Sequence, residues 1–181
     1  LLSATANRLR SGDLGGIRLY YKIAMEPLGK TLLAEDVIEK VDAHSFFVGD
    51  PDHETIKRQV QTGHKLVSFV PVHFSQFPRL FEEIIDLDTF LVTVSPMDAG
   101  GYFSLGTNND FASVAARRAK RLIVEVNRNM PRVFGQSQIH VSEVAAIVEN
   151  DVPLIEAGAA EPSPEGLAIG ALVAPMVPDG A

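Results

Sequence analysis

The chain has 181 residues, of which 46% are apolar and 22% charged, enough to bury the core of one domain. Its formal charge of −7 disfavours a nucleic-acid partner. It has no cysteines, which excludes disulfides and a thiol nucleophile and is compatible with the cytoplasm, the location we predict. The most apolar late stretch, Gly166 to Val177, is too short to span a bilayer, so we expect no membrane partner.

Short apolar runs alternate with helical patterns along the chain. In chain order the predicted elements are a helix at Leu1–Leu9, a strand at Ile17–Ile23, a helix at Leu32–Val41, a strand at Ser45–Val48, a helix at Pro51–Thr62, a strand at Lys65–Phe74, a helix at Phe77–Ile85, a strand at Thr89–Val94, a helix at Asp110–Lys120 and a strand at Arg121–Val126. The last two strands are almost continuously apolar, which is typical of parallel strands covered on both faces. The alternation predicts an α/β fold with a doubly wound, mostly parallel sheet.

The third predicted helix begins at a run of acidic residues and a histidine. Asp50 suits the N-cap, Pro51 the first helical position, and Gly63 the left-handed position after the helix. The same run, with His53 and Glu54, has the side-chain types of a metal site. Because capping already explains its carboxylates and no metal-binding motif is present, we predict no metal.

The candidate ligand-binding loops follow the strands, because ligands on doubly wound sheets bind beyond the carboxyl ends of the strands. The richest loop runs from Ser95 to Gly106 and contains two adjacent glycines before a helix. Glycines let backbone amides approach a ligand closely, and a helix N-terminus favours negative charge. A plain β-hairpin with a helix cap explains the same residues equally well. The dinucleotide motif G-x-G-x-x-G is absent, so a nicotinamide dehydrogenase is disfavoured.

Several ordered motifs carry a family resemblance. They are Val94-Ser95-Pro96-Met97-Asp98, Gly101-Tyr102-Phe103-Ser104-Leu105-Gly106, Glu125-Val126-Asn127 with Met130-Pro131 and Gly135, Ile139-His140-Val141-Ser142, Phe46-Phe47-Val48-Gly49 and Val70-Pro71-Val72-His73-Phe74-Ser75. Together they resemble the N-terminal domain of the acetyl-CoA hydrolase/transferase family, which includes 4-hydroxybutyrate, butyrate and itaconate CoA-transferases. The resemblance spans about residues 17 to 156.

The resemblance implies two similar domains with the fold shared by CoA transferases and sugar-phosphate isomerases, with the active site between them. Residues 1–156 would form the N-terminal domain, incomplete at its start, because an early strand is expected before Leu1. Residues 157–181 would form a linker and the beginning of a C-terminal domain. In this family a glutamate of the second domain attacks the acyl-CoA thioester, and CoA is carried as a glutamyl-CoA thioester. That glutamate is expected beyond Ala181, so no catalytic residue is assigned here.

For the substrate-binding wall, the resemblance and the loop positions point to nine residues: Ser95, Gly101, Tyr102, Ser104, Gly106 and Asn127, with Gly49, His73 and Ser75 as weaker candidates. Asn127 is expected to hold the geometry of its loop. Coenzyme A is implied as substrate and product, and the expected partners are an acyl-CoA, a small mono- or dicarboxylate and further copies of the same chain, as a homodimer or higher oligomer.

Three functions remain open at this stage. The chain is part of a CoA-transferase, part of an acyl-CoA hydrolase in which water intercepts the glutamyl intermediate, or a non-catalytic half-domain that pairs with another chain. The acyl group is not specified. Lys22, at the end of a predicted strand, is placed to meet the second carboxylate of a dicarboxylic acid, although an exposed strand-end lysine is the simpler interpretation. A 181-residue chain of this extent is expected to be inactive by itself.

Overall fold

The computed structural model describes residues 1–156, 158 and 161–180. The α-helices of this part are α1 (Leu2–Ser11), α2 (Asp50–Thr62), α3 (Phe77–Glu83), α4 (Ala112–Arg118) and α5 (Pro164–Val173). The strands are β1 (Ile17–Ile23), β2 (Val41–Phe47), β3 (Val67–Phe69), β4 (Thr89–Val94), β5 (Tyr102–Ser104), β6 (Arg121–Val126), β7 (Gln138–His140) and β8 (Ala146–Glu149).

The strands form three hydrogen-bonded sheets. One is parallel with the order β1-β2-β3, a second is parallel with the order β4-β6-β8, and β5 pairs with β7 in an antiparallel ribbon. The predicted α/β class with mostly parallel strands is confirmed. The parallel strands are divided between two three-stranded sheets, so that β1 and β4 are both edge strands. Turns or helices follow the carboxyl ends of β1, β2, β3, β4 and β6.

Three apolar clusters fill the interior. The first packs α1 against the first sheet through Leu9, Val41 and their neighbours, and the second surrounds Val94 and Val124 in the second sheet. The third is aromatic and lies between α3 and α4; its rings are Phe46, Phe77, Phe81 and Phe111. Burying an aromatic or leucine side chain contributes roughly 1.5–3 kcal/mol, so these clusters fix how the helices sit on the sheets.

One predicted helix is wrong. Residues 32 to 40 form successive turns that end in a short 3₁₀ segment at Ile38–Lys40, and β2 already begins at Val41. The buried side chains Leu32, Leu33, Val37 and Ile38 recur at helix-like intervals, which is why the pattern suggested a helix. The turns bury the same four side chains. They are held by local hydrogen bonds, such as that from the Val37 amide to the Ala34 carbonyl at 2.9 Å.

Several further boundaries differ from prediction. The strand predicted over Ser45–Val48 begins earlier, and β2 runs over Val41–Phe47. The strand predicted over Lys65–Phe74 is reduced to Val67–Phe69, because Pro71 has no N–H to give to a ladder. Helix α2 begins at Asp50 with Gly49 as its N-cap, one residue earlier than predicted, whereas Gly63 does adopt the left-handed conformation (φ 71°) after the helix.

Helix α5 lies apart from the three clusters and is exposed along its whole length. Leu172 and Met176 at its end are more than 70% exposed. In the part of the chain that the structure describes, no helix has both the length and the apolarity needed to cross a membrane.

Candidate functional site

The carboxyl ends of β4, β6 and β8 surround a cavity of about 290 Å³. Apolar side chains of Pro96, Met97 and Ile147 line it beside the charged Arg128 and Glu149. A larger groove, of about 550 Å³, lies between α2 and the turns at residues 26–35, but it is on the outer face of the helix and holds none of the predicted site residues. Because ligands of parallel sheets bind at the carboxyl edge, the smaller cavity and its loops are the candidate site.

Ser95 and Ser104 form the base of the loop after β4, and both are buried. The Ser95 hydroxyl accepts a hydrogen bond from the Ser104 amide at 3.0 Å and donates one to the Pro96 carbonyl. The Ser104 hydroxyl accepts from the amides of Gly106 and Val133 and donates to the Val133 carbonyl at 3.1 Å. Both hydroxyls are thus engaged within the protein, where they tie the hairpin to the loop after β6.

Gly101 and Tyr102 lie at the tip of that hairpin. Gly101 has φ +84°, a left-handed conformation that favours glycine, and a Cβ placed on it would lie 2.9 Å from Nε2 of His140, so the imidazole would have to move. Tyr102 is 41% exposed, with its ring edge-on to His140 at a centroid distance of 4.9 Å. Of the predicted residues of this loop, Tyr102 is the one whose side chain reaches solvent.

Gly106 and Asn127 lie where the loop after β4 meets the loop after β6. Gly106 has φ +55°, and a Cβ there would lie 2.7 Å from the Pro131 carbonyl oxygen. The buried Asn127 side chain accepts from the Asn129 amide at 2.9 Å and donates to the Val152 carbonyl at 2.8 Å. These bonds connect the segment after β6 to the segment after β8.

An ion pair that the sequence did not reveal clamps the same hairpin. Asp98 accepts hydrogen bonds from the amides of Gly100 and Tyr102, and Arg132 binds its carboxylate and the Tyr102 carbonyl. The hydrogen bond from the Tyr102 amide, together with the Arg132 charge, lowers the pKa of Asp98. The partners are 34 residues apart in the sequence, so no local sequence pattern indicates this pair.

The three weaker candidates lie on the other parallel sheet. Gly49 is buried at the N-terminus of α2, and its amide donates to Oδ2 of Asp52 at 2.9 Å. Asp52 is fully buried and also accepts from the hydroxyls of Tyr21, at 2.5 Å, and Ser45, at 3.2 Å. Burial and the Asp52 charge raise the pKa of Tyr21. This network joins β1, β2 and α2, so the backbone at Gly49 is rigidly held and its amide is already used.

His73 and Ser75 are exposed on the short turn after β3. Within the described residues their side chains make no hydrogen bond, so both are free to meet a ligand or another part of the protein. The structure therefore divides the nine predicted residues into six around β4 and β6 and three around β2 and β3. Burial separates them again, because only Tyr102, His73 and Ser75 expose their side chains.

Lys22 connects the two groups. Its ammonium lies 2.6 Å from Oδ2 of Asp110, in the segment that follows Gly106, and 5.8 Å from the ring centroid of Phe74, between His73 and Ser75. The lysine is therefore paired with an internal carboxylate rather than simply exposed, as the simpler sequence interpretation had it.

Chemically, the edge offers apolar surface, a rigid backbone and a few cations. The described residues contain no group of three or more histidine, cysteine or carboxylate side chains arranged to hold a metal ion. Nδ1 of His53 and Oδ1 of Asp50, from the acidic run considered above, are 4.0 Å apart, and both side chains are largely exposed. The groups at this edge can bind and orient a small organic ligand.

Comparison with known proteins places this geometry in a family. Residues 7–156 match the model of the acetyl-CoA hydrolase/transferase N-terminal domain. The chain is 35% identical over 168 residues to a 4-hydroxybutyrate coenzyme A transferase of Clostridium kluyveri, covering 92% of this chain and 37% of that protein. It is 32% identical over 146 residues to a succinyl-CoA:cyclohexane-1-carboxylate CoA transferase of Geobacter metallireducens, covering 81% of this chain and 32% of that protein.

Solved structures of related proteins also match this chain. The crystal structure of RipA from Yersinia pestis is 48% identical, with a TM-score of 0.93, and the match covers all of this chain and 42% of RipA. A 4-hydroxybutyrate CoA-transferase from Porphyromonas gingivalis is 25% identical with a TM-score of 0.58, over 85% of this chain and 39% of that protein. The chain thus spans about two-fifths or less of the length of these relatives. The chain belongs to the acetyl-CoA hydrolase/transferase family and corresponds to its N-terminal domain.

Proposed function

We propose that this chain is the N-terminal part of an acyl-CoA:carboxylate CoA-transferase whose nucleophilic glutamate lies in a second domain beyond Ala181. The observation that carries the proposal is the match to a CoA transferase over 92% of this chain but only 37% of the relative. The relative thus has room for a second domain, to which we assign the nucleophile. Residues 1–156 would be the first domain, and residues 157–181 would lead into the second.

The reaction would proceed through two acyl exchanges. The glutamate carboxylate attacks the thioester carbonyl of the acyl-CoA, and the C–S bond breaks. CoA departs as its thiolate, and the acyl group stays on the glutamate as a mixed anhydride. The thiolate then attacks the glutamyl carbonyl, which releases the first acid and leaves a glutamyl-CoA thioester. An incoming carboxylate reverses these two steps and departs as the new acyl-CoA.

This chain would contribute the wall against which the acyl group and the acid lie. The apolar Pro96, Met97 and Ile147 would exclude water from the reactive anhydride. The hairpin that carries Gly101 and Tyr102 is pinned by Ser95, Ser104 and the ion pair of Asp98 with Arg132, so the wall would keep its shape when a ligand binds.

An intact mass spectrum of the full-length protein after incubation with butyryl-CoA tests the proposal. We expect a mass increase equal to CoA less one water, and its loss when acetate is added together with formation of acetyl-CoA. Absence of both the adduct and CoA exchange would refute transferase function. An adduct on the 181-residue chain alone would show instead that the nucleophile lies within it.

The same incubation separates the transferase from a hydrolase. Without an acceptor acid, a transferase releases the first acid only once per active site, whereas a hydrolase releases acid and CoA continuously. A half-domain that acts by pairing would show adduct formation only after a second chain is added. A cytoplasmic location and a homodimer or higher oligomer remain predictions, which fractionation and light scattering would check.

A further inference from the structure

His140 presents an unused hydrogen-bond donor at the tip of the hairpin that follows β4. The Ser142 amide donates to Nδ1 of His140 at 3.3 Å, and the Ser142 hydroxyl lies 2.7 Å from the same nitrogen. A backbone amide can only donate, so Nδ1 is the acceptor and the neutral imidazole carries its proton on Nε2. Within the described residues Nε2 has no hydrogen-bond partner, and it is not buried. Its N–H is therefore available to a ligand.

The backbone around His140 holds the ring in one place. The His140 amide donates to Oε1 of Glu143 at 2.8 Å. The next amide, that of Val141, donates to the Gly101 carbonyl at 2.9 Å. His140 also lies directly opposite Tyr102 in the antiparallel pairing of β5 with β7. A donor that is fixed in this way loses little conformational freedom when a ligand binds.

Gly101 keeps this donor uncovered. Its backbone is left-handed at φ +84°, and a Cβ placed on it would lie 2.9 Å from Nε2 of His140. The absence of a side chain at Gly101 therefore leaves the nitrogen accessible, whereas a methyl group would press against it. Gly135, also left-handed at φ +88°, has nothing within 4 Å of an added Cβ and so provides a matched control.

An exposed aromatic ring lies beside the donor. Tyr102 is 41% exposed, and its ring is edge-on to that of His140 with the centroids 4.9 Å apart. The Asp98 amide donates to the Tyr102 carbonyl at 2.9 Å, so the hairpin continues beyond Val94, the last residue of β4. Both rings therefore lie at the carboxyl edge of a parallel sheet, where ligands bind.

The charges around the hairpin tip favour an uncharged ligand. Asp98 and Glu143 are negative, and Arg132, which is paired with Asp98, is positive. An anionic ligand would therefore meet a net negative charge, whereas a carbonyl oxygen can accept from a neutral imidazole N–H without any charge. Within an acyl-CoA the pantetheine arm fits this description, because it is uncharged and carries amide carbonyls, while the nucleotide end carries phosphates.

We propose that the Nε2–H of His140 donates a hydrogen bond to an amide carbonyl of the pantetheine arm of an acyl-CoA, and that the arm lies along the Tyr102 ring. The proposal rests on the proposed CoA-transferase function and names the part of the substrate that this hairpin binds. His140 is a binding residue in this arrangement and takes no part in acyl transfer. Because every acyl-CoA contains pantetheine, the contribution of His140 is the same whatever the acyl group.

The experiment compares two substrates of the full-length protein, butyryl-pantetheine and the butyryl thioester of ethanethiol, which has no amide. His140→Asn keeps an acceptor near the Ser142 amide but places no donor at Nε2. Loss of one hydrogen bond between neutral groups predicts that this variant lowers kcat/KM roughly 3- to 10-fold for butyryl-pantetheine and leaves the ethanethiol thioester unaffected. His140→Gln, which places a donor near Nε2, should retain most of kcat/KM.

Two glycine variants test the same donor from the opposite side. Gly101→Ala covers Nε2, so it should lower the ratio of kcat/KM for butyryl-pantetheine to that for the ethanethiol thioester as far as His140→Asn does. Gly135→Ala introduces a left-handed alanine without covering any group, so it should leave the ratio unchanged. Equal ratios in the two alanine variants would contradict the inference.

NMR spectra of the full-length protein labelled with ¹⁵N-histidine add a readout that does not depend on turnover. We expect His140, identified by the loss of its signal in His140→Gln, to carry its proton on Nε2 and to shift when pantetheine is added. If the wild-type protein does not transfer CoA from butyryl-CoA to acetate, the proposed function fails, and the titration still decides whether His140 binds pantetheine. An Nε2 signal that pantetheine leaves unchanged, or equal losses of kcat/KM with both thioesters in His140→Asn, would make His140 a structural residue of the hairpin and would overturn the inference.

Discussion

The buried carboxylate of Asp52 allows a sharp prediction about Tyr21. Asp52 is fully buried and accepts three hydrogen bonds, of which that from Tyr21 is the shortest at 2.5 Å. Tyr21→Phe keeps the ring and its packing but leaves Oδ1 of Asp52 without that donor. A hydrogen bond to a charged buried group contributes about 1.5–3 kcal/mol. We therefore expect the free energy of unfolding to fall by about 2 kcal/mol.

In a protein of this size such a loss lowers the melting temperature by about 4–8 °C, which circular dichroism measures directly. The control is Tyr102→Phe, whose hydroxyl makes no hydrogen bond within the described residues, and for which we expect a change within about 0.5 kcal/mol.

The dependence of the free energy of unfolding on alkaline pH provides a second test of the hydrogen bond between Tyr21 and Asp52. Burial, and then Asp52, raise the pKa of Tyr21 above that of an unfolded tyrosine. The stability contributed by its hydroxyl is therefore fully present below about pH 10 and is lost as the pH rises toward the folded pKa. In urea titrations the difference between wild type and Tyr21→Phe should shrink between pH 9 and pH 11. A difference below about 0.5 kcal/mol at pH 7, or one that grows at pH 11, would refute this account of the network.

Two further predictions concern the hairpin and its connections. Gly106→Ala should cost about 2–4 kcal/mol, because it combines a left-handed backbone with a Cβ too close to the loop after β6. Gly12→Ala, also left-handed but with open space around it, should cost about 1 kcal/mol in the same thermal melts; equal costs would show that crowding is unimportant. Asp98→Asn should destabilise the protein at pH 7 but lose its effect in acid. The lowered pKa of Asp98, held by the Tyr102 amide and Arg132, means that its contribution is present above about pH 4 and disappears as the pH falls through the folded pKa; a difference independent of pH would contradict this.

The strands were the most predictable part of the fold. Three of them, Ile17–Ile23, Thr89–Val94 and Arg121–Val126, have the bounds that the sequence indicated, because β-branched and aromatic residues in unbroken apolar runs specify covered parallel strands. Helix prediction failed at Leu32–Val41, where successive turns satisfy the same apolar periodicity. The short strands β5, β7 and β8 were not among the predicted strands, because three or four residues are too few to show a periodic pattern.

From the sequence, the candidate site could be assigned to a region of the chain but not described in detail. The rule that ligands bind at strand carboxyl ends led to the loops after β4 and β6, and it also led to the turn after β3. Which side chains those loops expose depends on partners far along the chain, such as Arg132 for Asp98 and Asp52 for Tyr21, separated by 34 and 31 residues. No local pattern encodes such pairs.

At this edge, buried and exposed polar residues have different roles, although they belong to similar residue types. Ser95, Ser104 and Asn127 look like ligand-binding residues in the sequence, yet their polar atoms are consumed in holding the loops, so replacing them would disturb ligands through displaced backbone. Under the proposed function, residues with free polar atoms and exposed surface, such as Tyr102, are where a change of substrate could be made without a loss of fold. Acid preference should then vary with the exposed residues, while the buried residues keep the edge in one shape.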